Sequence, residues 1–541
     1  MSSIQSASEG NETAPCSGAD ALLERRWVVV AVYLALSGIA LYPLLSVTIP
    51  PLVDYPNHLA RMYILAHWDT DPALQLNYVP DWKLLPNMAM ELFVPFLARF
   101  MSIYTAGKIF VAAAMLSVLA GTLVLRKVLV GKVGLWPVLT FLLLFNQNLF
   151  WGFLNYLFTA GLALLALAAW IVLRERPRAL KAAIFSFVTV VLYTCHLFGL
   201  FAYGLLVFGY EIWRSRRAPA PIWWHLRQWS ETALQFIIPA VLFVLWTIRN
   251  ASVDGAMTVF GSHTERLVAL ASLTSFDILY LDLPTLLFLA FLWPTFRSDK
   301  NVGIVQSMKV PLILVAVAAL LMPSYLSGVW GTHLRLPLIF ACVVIAATRF
   351  ASSDWRPMPY VVGAAIALFV ARTAVIAEDW RDVDKKFLEF RQAISAIEPG
   401  SRLLPIGDVE HVADGRSYLD NMQFSHMVSL AVIERSVFQP ILFTGFTTIG
   451  VTDRVRDIDT PVGVPVAVDL LLGNSDPVTS VYPLGRRIER YVWAYWTGWP
   501  TRFNYAVSIR FSDRRNPSAA HLERIAERSF FDIYRVVPGP P

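Results

Sequence analysis

The sequence predicts an α-helical polytopic membrane protein that carries a mixed α/β domain at its C-terminal end. Three observations predict it. Apolar residues fill 56% of the 541 positions and charged residues only 16%, where a soluble chain carries about 25% charged residues. Apolar runs of membrane-crossing length recur from Trp27 to Ala377. From residue 378 onward the charge rises and the apolar runs shorten.

Residues 1–26 are polar and rich in Ser, Ala and Glu, and are expected to be disordered and cytoplasmic. They lack the basic stretch and short apolar core of a cleaved signal. The first span, Trp27 to Val47, is long enough to cross and stay. About eleven spans follow from the hydropathy pattern, at 27–47, 104–125, 133–147, 155–173, 182–199, 200–213, 232–248, 278–296, 310–327, 334–350 and 358–377. The membrane region is thus 27–377, with a long first loop at 48–103.

The basic clusters orient these spans. Arg25 and Arg26, Arg126 and Lys127, Arg174 to Lys181, Arg214 to Arg217, Arg297 and Lys300, and Arg349 and Arg356 all fall on one side. That side is the cytoplasm by the positive-inside rule. The net charge of +6 is therefore spent in short loops rather than on a basic stripe, and no nucleic-acid partner is expected. The three cysteines, Cys16, Cys195 and Cys342, lie far apart and form neither a disulfide framework nor a zinc spacing.

The opposite side receives the first loop, the turn Asn146 to Gly152, the loop 249–277, the turn Gly328 to Arg335, and the tail 378–541. In the first loop, Tyr55 to Trp68 reads as a short helix that Asp54 caps, and Asn87 to Met101 reads as a second. Both are expected to lie on the outer leaflet. In the tail, Asp384 to Ile397, Phe424 to Arg435 and Ala519 to Arg528 read as helices. Arg402 to Ile406, Tyr505 to Phe511 and Ile533 to Val537 read as strands.

Charged groups at this depth are costly, so they mark candidate sites. Asp54, His58 and Arg61 are spaced to share one helix face. A half-buried carboxylate there would serve as a general base, although a plain helix cap is the alternative reading of Asp54. Asp81 and Glu91 are further carboxylates of the same loop, with Lys83 a ready surface partner for Asp81. His196 lies near the outer end of the fifth span. His333 and Arg335 stand at the outer mouth of the tenth. An arginine there suits a phosphate through its bidentate fork; snorkelling to ordinary lipid headgroups is the plainer reading. The aromatic run Phe150 to Tyr156 lines a sugar or lipid site, or is an aromatic belt. No Walker loop, dinucleotide fingerprint, nucleophile elbow or HExxH motif occurs.

The segment Val53-Asp54-Tyr55-Pro56-Asn57-His58, the following stretch to Ala98-Arg99-Phe100, and Arg126-Lys127 after the second span carry a resemblance. In these residues and in its layout the chain resembles the GT-C superfamily of integral-membrane glycosyltransferases, which includes protein mannosyltransferases and lipid A aminoarabinose transferases. The resemblance implies Asp54 as the catalytic carboxylate and a sugar on a polyprenyl phosphate as donor. The implied acceptor is an envelope glycan, lipid or protein. The implied site is the periplasmic face of a bacterial inner membrane, among membrane lipids, with the tail on that face. Several relatives pair two adjacent acids in this loop. Here Tyr55 follows Asp54, which disfavours a metal-dependent mechanism and leaves no metal ligands to name. His58, Arg61, Asp81, Glu91, His196, His333 and Arg335 are the expected substrate-binding residues. A ligase or polymerase using a diphosphate-linked donor, and a non-enzymatic export component, are the competing readings.

Overall fold

In a computed structural model the described residues are 26–537, apart from 218–219, 251–257, 277–278, 327–328, 352–354, 356, 408–421, 445–446, 461–464, 474–479, 482–486, 489–494 and 511–514. The polar N-terminal segment and Arg356 therefore lie outside the described residues, save Arg26.

Among the described residues, five helices are long and apolar enough to cross a membrane. They are α1 (Arg26–Leu45), α2 (Ile103–Val130), α3 (Leu154–Leu173), α4 (Arg178–Cys195) and the helix that begins at Met358. Two helices bent by 55°, Ile222–Leu234 and Ile237–Ile248, make a sixth if they form one span. Leu197–Ser215 (α5) and the shorter apolar helices Leu279–Pro294, Gln306–Leu321 and Thr332–Ala347 fall on the remaining predicted spans. One prediction fails. The stretch 133–147 is a buried 3₁₀ segment, Trp136–Leu143, and not a spanning α-helix. Pro137 near its start lacks a backbone donor, and at roughly 2 Å rise per residue the segment is too short to cross.

Small residues set the tightest helix pair. A Cβ on Gly161 would sit 2.2 Å from the backbone of Ser117, so α2 and α3 touch backbone to backbone there. Ser117 Oγ also donates to the Phe158 carbonyl at 3.2 Å. Without a hydrophobic drive inside lipid, such close packing and hydrogen bonding hold helices together. Arg372 ties three further pieces: it donates to the Leu142 and Phe145 carbonyls at 3.0 and 2.8 Å and pairs with Asp282 at 2.7 Å. Arg126, one of the basic residues expected on the cytoplasmic side, is buried and donates to the Val133 and Thr348 carbonyls.

The last apolar helix, α6 (Met358–Ala393), runs for 36 residues. The helix expected at 384–397 is its continuation, so the expected border at 378 lies inside a helix. No proline or glycine interrupts the chain between Gly363 and Pro399. Its C-terminal half reaches back to the end of α1, where Asp384 accepts the Thr48 and Ile49 N–H groups at 2.8 Å each.

The tail forms a four-stranded sheet. Strand Tyr505–Ile509 lies parallel to Leu403–Gly407 and antiparallel to Phe531–Val536, which pairs in turn with Leu522–Glu527. The last of these corrects the helix expected at 519–528. Its residues favour helix, but pairing across the tight turn at Ser529 and Phe530 overrides so weak a preference.

The first loop is built into this tail. Strand Tyr78–Pro80 pairs antiparallel with Ile449–Val451. Tyr78 Oη donates to the Val437 carbonyl at 3.2 Å, and Ser436 Oγ to Asp71 at 2.5 Å. The helix Tyr55–His67 is consequently buried on most of its length rather than lying on a leaflet. It packs against Ala89–Leu97 on one side and against Leu430–Arg435 of the tail on another. Only Ala89–Leu97 keeps an apolar outer face, through Leu92, Phe93 and Phe96.

Candidate active site

Asp54 is positioned by backbone. Leu52 N–H closes a turn on the Pro50 carbonyl at 2.8 Å. Val53 and Asp54 then donate to the Phe150 and Trp151 carbonyls at 2.9 and 3.1 Å. The next residue of that turn is Gly152, with φ +82°. A Cβ there would lie 3.2 Å from both Cβ and N of Asp54. Gly152 is needed twice over: for its left-handed backbone and for the approach of Asp54.

Asp54 occupies the N-cap position of helix Tyr55–His67, but its side chain makes no capping bond. The capping role considered from the sequence is therefore not taken up. Pro56 has already removed one of the N–H groups that a cap would serve. The carboxyl is free of the helix end and 19% exposed. Burial pushes it up to about 7, against the pull of the Arg335 guanidinium.

Arg335 follows the turn Thr332–Leu334 and opens the helix Leu336–Ala347. It is 3% exposed. Its guanidinium carbon lies 4.4 Å from the Phe198 ring centre, 5.1 Å from Phe153 and 5.8 Å from Tyr156. Nε and Nη1 are buried with no hydrogen-bond partner. A cation boxed by three rings with open donors is arranged for an anion. His196 builds the wall of this box. Its Nδ1 accepts from Phe198 N–H at 3.1 Å, capping α5, and its ring packs on Tyr156 and Phe198. His333 packs on Trp330 and is buried, with Nδ1 lacking a partner.

The other predicted residues divide. His58 stands one turn beyond Asp54, its Nδ1 3.1 Å from Arg61 Nη1 and its ring 5.7 Å from Phe443. Burial, with the charges of Arg61 and His426, holds it well below the usual histidine range. Arg61 and Glu91 form a buried ion pair, and Glu91 also accepts from Asn155 Nδ2 at 3.3 Å. That pair joins two first-loop helices to α3. Asp81 stands at the surface, where it pairs with Lys83. Among the described residues, no three His, Cys, Asp or Glu side chains come together as a ligand set.

The sequence reading missed His426. It comes from the tail and places Nε2 3.5 Å from Asp54 Oδ1. Asn57 and Phe443 hold it, at 3.2 Å from Nδ1 and 5.0 Å between ring centres. The one available signal was a histidine in the apolar stretch around Phe424 and Met427, in a chain with nine histidines.

No family model matches the sequence, and no curated protein matches it significantly. Solved structures do. ArnT from Cupriavidus metallidurans bound to undecaprenyl phosphate aligns with a TM-score of 0.53 at 13% identity, covering 95% of this chain and 99% of that one. The same protein in the apo state gives 0.52 at 14% identity over the same shares. Identity this low speaks to architecture alone. The chain therefore has the fold of the GT-C integral-membrane glycosyltransferases that its first loop resembles.

Proposed function

We propose that the protein moves a sugar from a polyprenyl-phosphate donor to an envelope acceptor (a glycan, lipid or protein) at the periplasmic face of a bacterial inner membrane. The observation that carries this reading is the pairing of two unlike groups. Arg335 offers buried, unpartnered donors, and Asp54 offers a half-buried carboxyl raised toward neutrality. The fold supports it, since ArnT of that fold has been solved with undecaprenyl phosphate bound. The N-terminus and the basic loops are cytoplasmic in this reading, and the first loop and tail are periplasmic.

Asp54, ionised, takes the proton of an acceptor hydroxyl or amine. The acceptor atom then attacks the anomeric carbon as the bond to the phosphate oxygen breaks. The polyprenyl phosphate leaves with that electron pair, and Arg335 stabilises its charge. Attack on the face opposite the leaving group inverts the anomeric centre, and the step requires no metal.

Mass spectrometry of the lipids that co-purify in mild detergent tests this. A retained polyprenyl phosphate, lost in Arg335→Ala, is expected. The same lipid at equal yield in both proteins would remove Arg335 from the donor site.

A further inference from the structure

Asn57 is held by backbone on both sides. Its Oδ1 accepts from Phe443 N–H at 3.0 Å, and its Nδ2 donates to the Ile441 carbonyl at 2.9 Å. A backbone N–H only donates and a carbonyl only accepts, so the amide has a single orientation. The second Nδ2 proton points at His426 Nδ1, 3.2 Å away. That nitrogen must accept, which puts the ring proton of neutral His426 on Nε2. Nε2 is the atom facing Asp54 Oδ1 at 3.5 Å.

We propose that His426 is a positioning residue for Asp54: its Nε2–H, fixed by Asn57, holds one carboxylate oxygen and leaves the other for the acceptor proton. This rests on Asp54 being the base. Among the described residues, the other charged or titratable groups near the pair are Arg335 from the membrane part, and His58 and Arg61 along the helix of Asp54. Burial pushes His426 down to about 4, so it is neutral at pH 7 and donates without adding a charge. The tail thereby becomes part of the reacting centre rather than a separate module.

The test uses the purified full-length protein and no substrate. Dicyclohexylcarbodiimide labels protonated carboxyls, and peptide mass spectrometry reads the labelled fraction at Asp54 against pH. Asp54→Asn is the blank. The wild-type midpoint is expected near 7. Removing a donor to the ionised form raises a carboxyl, so His426→Phe is expected to move the midpoint up by about one pH unit. His426→Gln, which restores an N–H donor, is expected to move it back. An unchanged midpoint in His426→Phe, or equal shifts in the Phe and Gln variants, would overturn the proposal. A second measurement reads the wild-type site itself: ¹⁵N-histidine spectra of the wild type, with the His426 signal assigned by its loss in His426→Gln. A proton on Nε2 is expected, and a proton on Nδ1 overturns the proposal. Neither readout depends on sugar transfer. If Asp54→Asn keeps full transfer, the base assignment falls whatever the midpoint does. If it abolishes transfer while the midpoint stays put, only the role of His426 falls.

Discussion

Arg61 and Glu91 form an ion pair that is almost wholly buried, at 3% and 2% side-chain exposure. Such a pair contributes little against an apolar replacement, but breaking it strands a charge. Glu91→Leu is expected to cost about 3–5 kcal/mol. The double variant Arg61→Met with Glu91→Leu is expected to recover most of that. Thermal unfolding in detergent measures both; a single variant as stable as wild type would show that the pair does not hold the first loop.

Asp54 carries a stability signature of its own. Its folded value lies near 7, above about 3.9 for an unfolded aspartate. The folded state therefore binds the proton more tightly than the unfolded state. Stability is lost as pH rises between the two values. Asp54→Asn removes this loss, so the variant is expected to be more stable than wild type at pH 8, by about 2–4 kcal/mol. The gain should vanish toward pH 4. A variant that is destabilised at pH 8 would contradict the burial argument.

Transfer itself should follow the ionised fraction of Asp54. The rate is expected to rise with pH through about 7 and then level. Asp54→Asn is expected to lower it by about 10²–10⁴-fold. A pH–rate profile at saturating donor, flat from 5 to 9, would exclude Asp54 as the base.

Gly152 offers a test of the scaffold beneath Asp54. Gly152→Ala forces a side chain into a left-handed backbone and against Asp54 Cβ at 3.2 Å. It is expected to cost about 1–3 kcal/mol and to lower transfer at every pH. Unaltered turnover would mean that the Phe150–Gly152 turn does not place the carboxylate.

Arg335→Lys is not a conservative change inside a box of three rings. A lysine loses both the fork and the stacking. The donor KM is expected to rise in Arg335→Lys nearly as far as in Arg335→Ala. A lysine variant with the wild-type KM would show that charge alone suffices.

Asp54 and Arg335 stand out in the sequence as candidates because each lies at the mouth of an apolar run, where a charge has few reasons to be. The strands at Leu403 and Tyr505 were legible from their compact apolar runs. His426 was not: it meets Asn57 across 369 residues of intervening chain, and no spacing encodes that contact. The strand Leu522–Glu527 was misread because its partner, not its own residues, decides its form. The length of α6 was misread because charge marks the end of a span, whereas only proline or glycine would mark the end of the helix. Asp81 was over-read, since a loop acid beside a lysine has a partner ready to hand.

The pairing of Tyr78–Pro80 with Ile449–Val451 sets an order of events during synthesis. A ribosome that has made the first two-thirds of the chain has already made Asp54, Asn57 and Arg335. That portion still has a bare strand edge and lacks His426. Both are supplied by the part made last. A truncated or still-growing chain therefore holds the proposed reacting groups without the piece that brings them into register. On that reading the newborn protein stays silent until its final third has arrived.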